Sequence, residues 1–166
     1  VNRRYPYVDS VQHVQNPYVI AEGENLLPPF TEWNLHANAR VKSPYELELN
    51  APAGNQSTTI EVPVLKNTDY TISFSSITGR IGIVGRDTGT ALFPAQTIAS
   101  RTFNTGSNTK ILIILDNASG TTGVFTWTNP MLTLGSTAKP FVPRNPSYLF
   151  AEVKLGALSD KKDILW

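Results

Sequence analysis

The chain has 166 residues, 16% of them charged, a formal net charge of +1 and no cysteine. That length supports one ordinary domain with a real core. The near-neutral balance removes a bulk electrostatic case for nucleic acid or an anionic membrane, and the missing thiols remove disulfides, thiolate nucleophiles and cysteine-based zinc sites. No run of about eighteen apolar residues is present to cross a bilayer as a helix. Ser, Thr and Asn fill the space that charge leaves. They suit strands with one wet face, polar turns and a protein that works outside cells.

Residues 1–24 read as a connecting arm. Arg3, Arg4, Pro6 and Pro17 stand among Tyr5, Tyr7 and Tyr18 with no helical periodicity. Val1 is no initiator methionine, and both ends are expected to be cuts from a longer chain. The domain pattern starts at Asn25. Leu26-Leu27-Pro28-Pro29-Phe30 cannot be helical, because proline removes donors and restricts the residue before it.

Period-two alternation then predicts strands. Trp33, Leu35 and Ala37 alternate with Glu32, Asn34 and His36; Tyr45, Leu47 and Leu49 alternate with Glu46 and Glu48. Ile60, Val62 and Val64 alternate with Glu61 and Pro63, and Pro63 places that strand at a sheet edge. Tyr70, Ile72 and Phe74 alternate with Thr71 and Ser73. Ile111–Leu115 is apolar on both faces and predicts a central strand. Val124–Thr128 follows, and the strand beyond it breaks at Pro130 and turns at Gly135. Turn signals punctuate these runs at 53–55, 66–69, 78–79, 87–89, 104–106 and 116–120.

After Pro143 the character changes. Arg144-Asn145-Pro146 reads as a linker, Tyr148 to Leu155 as one more strand, residues 159–163 as a solvated turn, and Ile164-Leu165-Trp166 as an apolar end. The organisation is an all-β antiparallel sandwich or barrel over residues 25–143, between arms at 1–24 and 144–166.

Four motifs stand in a fixed order: Asn25-Leu26-Leu27-Pro28 followed by Trp33; Asp69-Tyr70-Thr71-Ile72-Ser73-Phe74; Asn129-Pro130-Met131-Leu132-Thr133-Leu134-Gly135; and Ala138-Lys139-Pro140-Phe141-Val142-Pro143. Together they resemble the jelly-roll, carbohydrate-binding-module-like domains of bacteriophage and prophage tail and baseplate proteins. The resemblance implies an antiparallel jelly-roll β-sandwich with extended N- and C-terminal arms. It implies a non-enzymatic module of a tail, baseplate or fibre protein, in the virion or outside the cell. The partners it implies are other tail domains, copies of the same chain, and host cell-wall glycan or teichoic acid. Many sugar-binding jelly rolls carry several aromatic residues on an exposed concave face. Here most aromatic residues share parity with the aliphatic core positions.

The candidate chemistry is that of binding. Trp33 shares parity with Leu35 and Trp127 with Phe125, so packing outranks sugar stacking for both. Trp127 is the better stacking candidate, because Asn129 follows on its face with an amide for hydroxyls. Arg80 beside Gly82 and Gly85 could fork onto a hydroxyl pair, carboxylate or phosphate, against a solvated edge with two glycine bulges. Tyr45 completes the carbohydrate-binding set. Glu46 and Glu48 share one face of one strand and cannot flank a glycosidic bond from opposite sides. His13 and His36 read as surface residues without a nucleophile partner.

No catalytic residue, metal ligand or cofactor is therefore assigned; the resemblance to jelly rolls adds a structural calcium, to which Asp116, Asn117 and Glu46 could contribute oxygens although no acidic loop spacing marks the site. Tyr5, Tyr7, Tyr148, Phe150 and Trp166 are the oligomer-contact candidates, and a homo-oligomer is expected in the full-length protein. Two rival readings stay open: a purely structural spacer or oligomerisation domain, and an accessory carbohydrate-binding module of a secreted glycoside hydrolase.

Overall fold

Strands form where apolar residues recur at every second position, and the layers form where two such apolar faces meet. The computed structural model describes residues 18–21, 24–144 and 147–150, the first and last of these as backbone alone. Their strands are β1 (Tyr18–Ala21), β2 (Ala39–Ser43), β3 (Glu46–Ala51), β4 (Ser57–Pro63), β5 (Asp69–Ser73), β6 (Ser76–Ile77), β7 (Arg80–Gly85), β8 (Ala91–Gln96), β9 (Ser100–Asn104), β10 (Lys110–Asp116), β11 (Gly123–Thr128), β12 (Met131–Leu134) and β13 (Ser147–Phe150). The one described helical turn is the 3-10 turn Phe30–Glu32.

The chain divides into two units, Glu22–Asn145 and a second that joins Val1–Ala21 to Pro146–Trp166. In the second, β1 and β13 pair antiparallel, with Tyr18 opposite Phe150 and Ala21 opposite Ser147. The sequence reading placed no strand before residue 25. Its candidate at 148–155 overlaps β13, and the remainder of that stretch lies outside the described residues.

The larger unit is an antiparallel β-sandwich of jelly-roll type. One layer has the order β4-β10-β7-β8. Its edge strand β4 carries Pro63, which has no N–H to give a neighbour, and its inner strand β10 carries the apolar run at 111–115. The other layer consists of β2-β3-β11-β6 and β12-β5-β9. These are the two halves of one bent surface, because β5 runs on into β6 and β11 into β12. The Ser75 N–H bonds the Thr128 carbonyl at 2.9 Å across the bend. Asn129 adopts φ 52° there, a conformation asparagine tolerates, and Pro130 ends the ladder.

One hydrophobic cluster fills the space between the layers. β3 contributes Leu47, Leu49 and Ala51, β7 contributes Ile81 and Ile83, and β10 contributes Ile111, Ile113 and Leu115. Burial of each large side chain stabilises by about 1.5–3 kcal/mol. Tyr70 and Phe103, opposite one another on β5 and β9, stack at 6.2 Å. Among the described residues no buried side-chain nitrogen or oxygen lacks a partner.

A single amide ties the domain's beginning to its end. Asn25 is fully buried. Its Nδ2 donates to the carbonyls of Pro130 (3.0 Å) and Val142 (2.9 Å), and its Oδ1 accepts from the N–H groups of Leu27 (3.0 Å) and Leu132 (3.2 Å). Two donors and two acceptor sites are all that a side-chain amide has.

The expected strand at 31–37 is absent. Phe30 and Trp33 are both buried and pack together at 5.0 Å, and Trp33 Nε1 donates to the Pro28 carbonyl at 3.2 Å. That anchoring folds the chain back on itself, so Leu35 and Ala37 are exposed and only an isolated bridge, Asn34 to Thr59, remains. Tyr45 lies in the turn before β3 and not on the strand. Strands β2, β8 and β9 carry too little apolar periodicity to be read from sequence. All three sit at sheet edges and bury few side chains.

Two substitutions test this packing. Asn25→Ala strands three buried backbone groups and frees the part-buried Val142 carbonyl, and should cost about 3 kcal/mol in urea denaturation. Asn25→Asp should cost no less near neutral pH, because a carboxylate would face the Pro130 and Val142 oxygens. A Cβ on Gly79 would lie 2.1 Å from Trp127 Cζ2. Gly79→Ala should therefore lower stability by about 1–3 kcal/mol in the same assay.

Candidate functional site

The residues singled out for sugar binding do not share a surface. Trp127 is entirely buried between the layers, where Nε1 donates to the Arg80 carbonyl at 3.2 Å. Stacking needs an open ring face, and Trp127 offers none; Trp33 is 5% exposed. The Arg80 side chain lies on the outer face of β7. There Nε and Nη2 fork onto both oxygens of Asp116 at 2.9 Å, and Nη2 also reaches the Asn117 carbonyl at 3.3 Å.

Tyr45 and Asn129 are brought together at the bend. The Asn129 N–H donates to the Tyr45 carbonyl at 2.8 Å, and Asn129 Nδ2 donates to Ser75 Oγ at 3.2 Å. Tyr45 is half-buried, edge-on to Phe141 at 5.0 Å, and its hydroxyl accepts from the Arg144 N–H at 2.8 Å. Of the oligomer-contact candidates, Tyr148 and Phe150 lie opposite Ile20 and Tyr18 along the β1–β13 backbone. Their side chains, and all of Tyr5, Tyr7 and Trp166, lie outside the described residues.

The glycines beside Arg80 are filled by the protein itself. A Cβ on Gly82 would sit 3.2 Å from Ala95 of β8, where the β7–β8 register shifts. One on Gly85 would overlap the amide of Asn108. The oxygens named for calcium do not fit that ion, which takes about six to eight oxygen ligands. Asp116 is held by Arg80, Asn117 Oδ1 accepts from the Gln56 N–H at 2.8 Å, and Glu46 belongs to the other layer. Among the described residues no three His, Asp or Glu side chains cluster as metal ligands.

A cleft opens along the edge of β4. Asn34 exchanges two backbone bonds with Thr59, at 2.9 and 3.0 Å, and the chain reaches this edge only there, from the turn at Phe30–Glu32. Antiparallel alternation points the Glu61 N–H and C=O the same way as those of Thr59. A cleft of about 560 Å³ lies against that stretch. Its polar lining includes Glu32, Asn34, Thr59, Glu61, Arg86 and Arg144, and Pro28, Pro63 and Leu112 supply apolar surface. None of its lining residues is aromatic.

Two cations tie down Glu61. Arg86 Nε reaches Oε2 at 2.8 Å and Lys110 Nζ reaches Oε1 at 3.3 Å. These bonds, Arg86's first, hold the Glu61 carboxyl below the usual carboxylate range. A carboxylate so stabilised is a poor general acid near neutral pH. Sequence reasoning recorded Glu32, Asn34 and Glu61 only as the polar side of alternating runs. The signal that could have found this groove is Pro63, the residue that marks an open edge.

Acid titration checks the electrostatics. Asp87 is also held below its usual value, first by the Thr109 N–H at 2.5 Å and then by the Thr109 hydroxyl at 2.8 Å. A depressed folded-state pKa contributes stability above the unfolded pKa and loses it as pH falls through the folded value. The melting temperature should therefore drop below the ordinary carboxylate range. The double variant Glu61→Gln, Asp87→Asn should show a shallower acid limb by thermal denaturation.

No family model matches the sequence, and no curated protein matches it. Solved structures similar to the chain include that of "CBM4 structure and function", at 16% identity over 74% of this chain and 91% of the other, with a TM-score of 0.42. They also include the enzymatically active domain of bacteriophage CBA120 tailspike protein 4, at 9% identity over 72% of this chain, with a TM-score of 0.35. This chain spans 19% of the tailspike chain.

Proposed function

We propose that the sandwich is a non-catalytic module of a phage or prophage tail, baseplate or fibre protein, supporting assembly and binding host cell-wall glycan. The observation that carries this reading is the convergence of the four motifs that resemble tail-associated carbohydrate-binding modules. Asn25 of the first motif bonds Pro130 and Leu132 of the third and Val142 of the fourth. The second motif, β5, pairs with β12 of the third from Tyr70–Leu134 to Ser73–Met131. Motifs far apart in sequence therefore form one structural unit, as a shared fold signature requires.

The carboxylates support a binding role over hydrolysis. Glu46 and Glu48 lie side by side on β3, with Glu48 paired to Lys42 at 3.7 Å, and Glu61 is held ionised by its two cations. A second reading, a spacer or oligomerisation unit, draws on the burial of Trp33 and Trp127, which removes the aromatic platform.

Co-sedimentation with purified bacterial cell walls separates these readings. The binding reading expects the protein in the wall pellet, with no rise in reducing ends. Protein that stays in the supernatant with every wall preparation, while light scattering gives a stable oligomer, would favour the spacer.

A further inference from the structure

We propose that the β4-edge groove is the glycan site, and that its ligand is a neutral polyhydroxylated chain and not a polyanion such as teichoic acid. This rests on the carbohydrate-binding reading above and names the surface and ligand class for it. The cleft's volume of about 560 Å³ lies inside the range of about 300–1,000 Å³ usual for small-ligand sites.

The lining selects against net charge. It includes Glu32, Glu61, Arg86 and Arg144, and both cations beside Glu61, Arg86 and Lys110, are already engaged by that carboxylate. A phosphate or uronate reaching Arg86 would have to compete with Glu61, which already holds that guanidinium at 2.8 Å. A hydroxyl both donates and accepts. It can therefore donate to a remaining lone pair of Glu61 and accept from a free N–H of the same guanidinium, leaving the ion pair whole. Asn34, Thr59 and the outward N–H and C=O of Glu61 add further donors and acceptors in mixed order. Pro28, Pro63 and Leu112 offer apolar surface for the C–H faces of a sugar, in place of an aromatic ring.

The test uses the full chain and four neutral probes, chitohexaose, cellohexaose, maltohexaose and mannohexaose, beside purified teichoic acid, by calorimetry. At least one neutral hexasaccharide should bind. Its affinity should change less than about twofold between about 0.01 M and 1 M salt, over which the Debye length falls from about 30 Å to about 3 Å. The double variant Glu61→Ala, Arg86→Ala should weaken that binding about tenfold or more, as expected for lost hydrogen bonds to charged groups. Glu48→Ala, on the outer face of the other layer, should leave it unchanged, with melting curves confirming that both variants fold.

Neutral binding that survives the groove variant overturns the site and leaves the glycan-binding function standing. Binding to teichoic acid alone, lost as salt rises, overturns the ligand class. Failure of all five probes, together with failure to sediment with cell walls, overturns the function and the site together.

Discussion

The Asn25 amide is the constraint on which the sandwich closes. A jelly roll has to bring its first and last segments to the same place, and the backbone groups meeting there belong to no common ladder. Buried N–H and C=O groups without partners cost about 1–3 kcal/mol each. Asn25 supplies the missing partners for Leu27, Pro130, Leu132 and Val142 from one side chain. An apolar residue would fill the volume and leave the three buried groups, those of Leu27, Pro130 and Leu132, unpaired. A carboxylate would satisfy the two N–H groups and oppose the two carbonyls.

The same device recurs at the other ends of the strands. Asn108 is 1% exposed; its Oδ1 accepts from the N–H groups of Asp87 and Thr88, and its Nδ2 donates to the Thr105 carbonyl. Asn117 is fully buried and joins Gln56, Ala53 and Thr121. The chain has no disulfide to pin its loops, and buried amides do that work, each linking turns that are distant in sequence. The arrangement also explains why Asp116 and Asn117 are poor metal ligands: their oxygens are already part of the scaffold.

What the sequence made legible follows the burial of each element. Strands β3, β4 and β5 alternate because one face meets the core, and Pro63 and the apolar run at 111–115 located edge and centre correctly. The edge strands β2, β8 and β9 were silent because they bury little. The false strand at 31–37 arose because Trp33 alternates with polar neighbours, while its actual anchor is the Pro28 carbonyl, which no periodicity encodes. The site was less legible still. Arg80 was a candidate because Gly82 and Gly85 thin the strand beside it, and Trp127 because Asn129 follows on its face, but Asp116 claims the one and the core the other. Parity did indicate that Trp127 points inward; it could not say that nothing of the ring is left outside.

With Trp33 and Trp127 consumed by the core, the polar groups that the fold leaves over lie at sheet edges. Edges are also where strands of different molecules join, so they are commonly obstructed. In β2 the register is broken between Val41 and Ser43, and β8 carries Pro94. In β4 the two obstructions sit apart: Asn34 occupies Thr59, and Pro63 lacks a donor. Between them lies the window at Glu61, too short to seat another strand in register. Its backbone polar groups are flanked by an ion pair and a cleft. The blocking that protects this edge from strand pairing thus leaves a short polar opening beside the cleft.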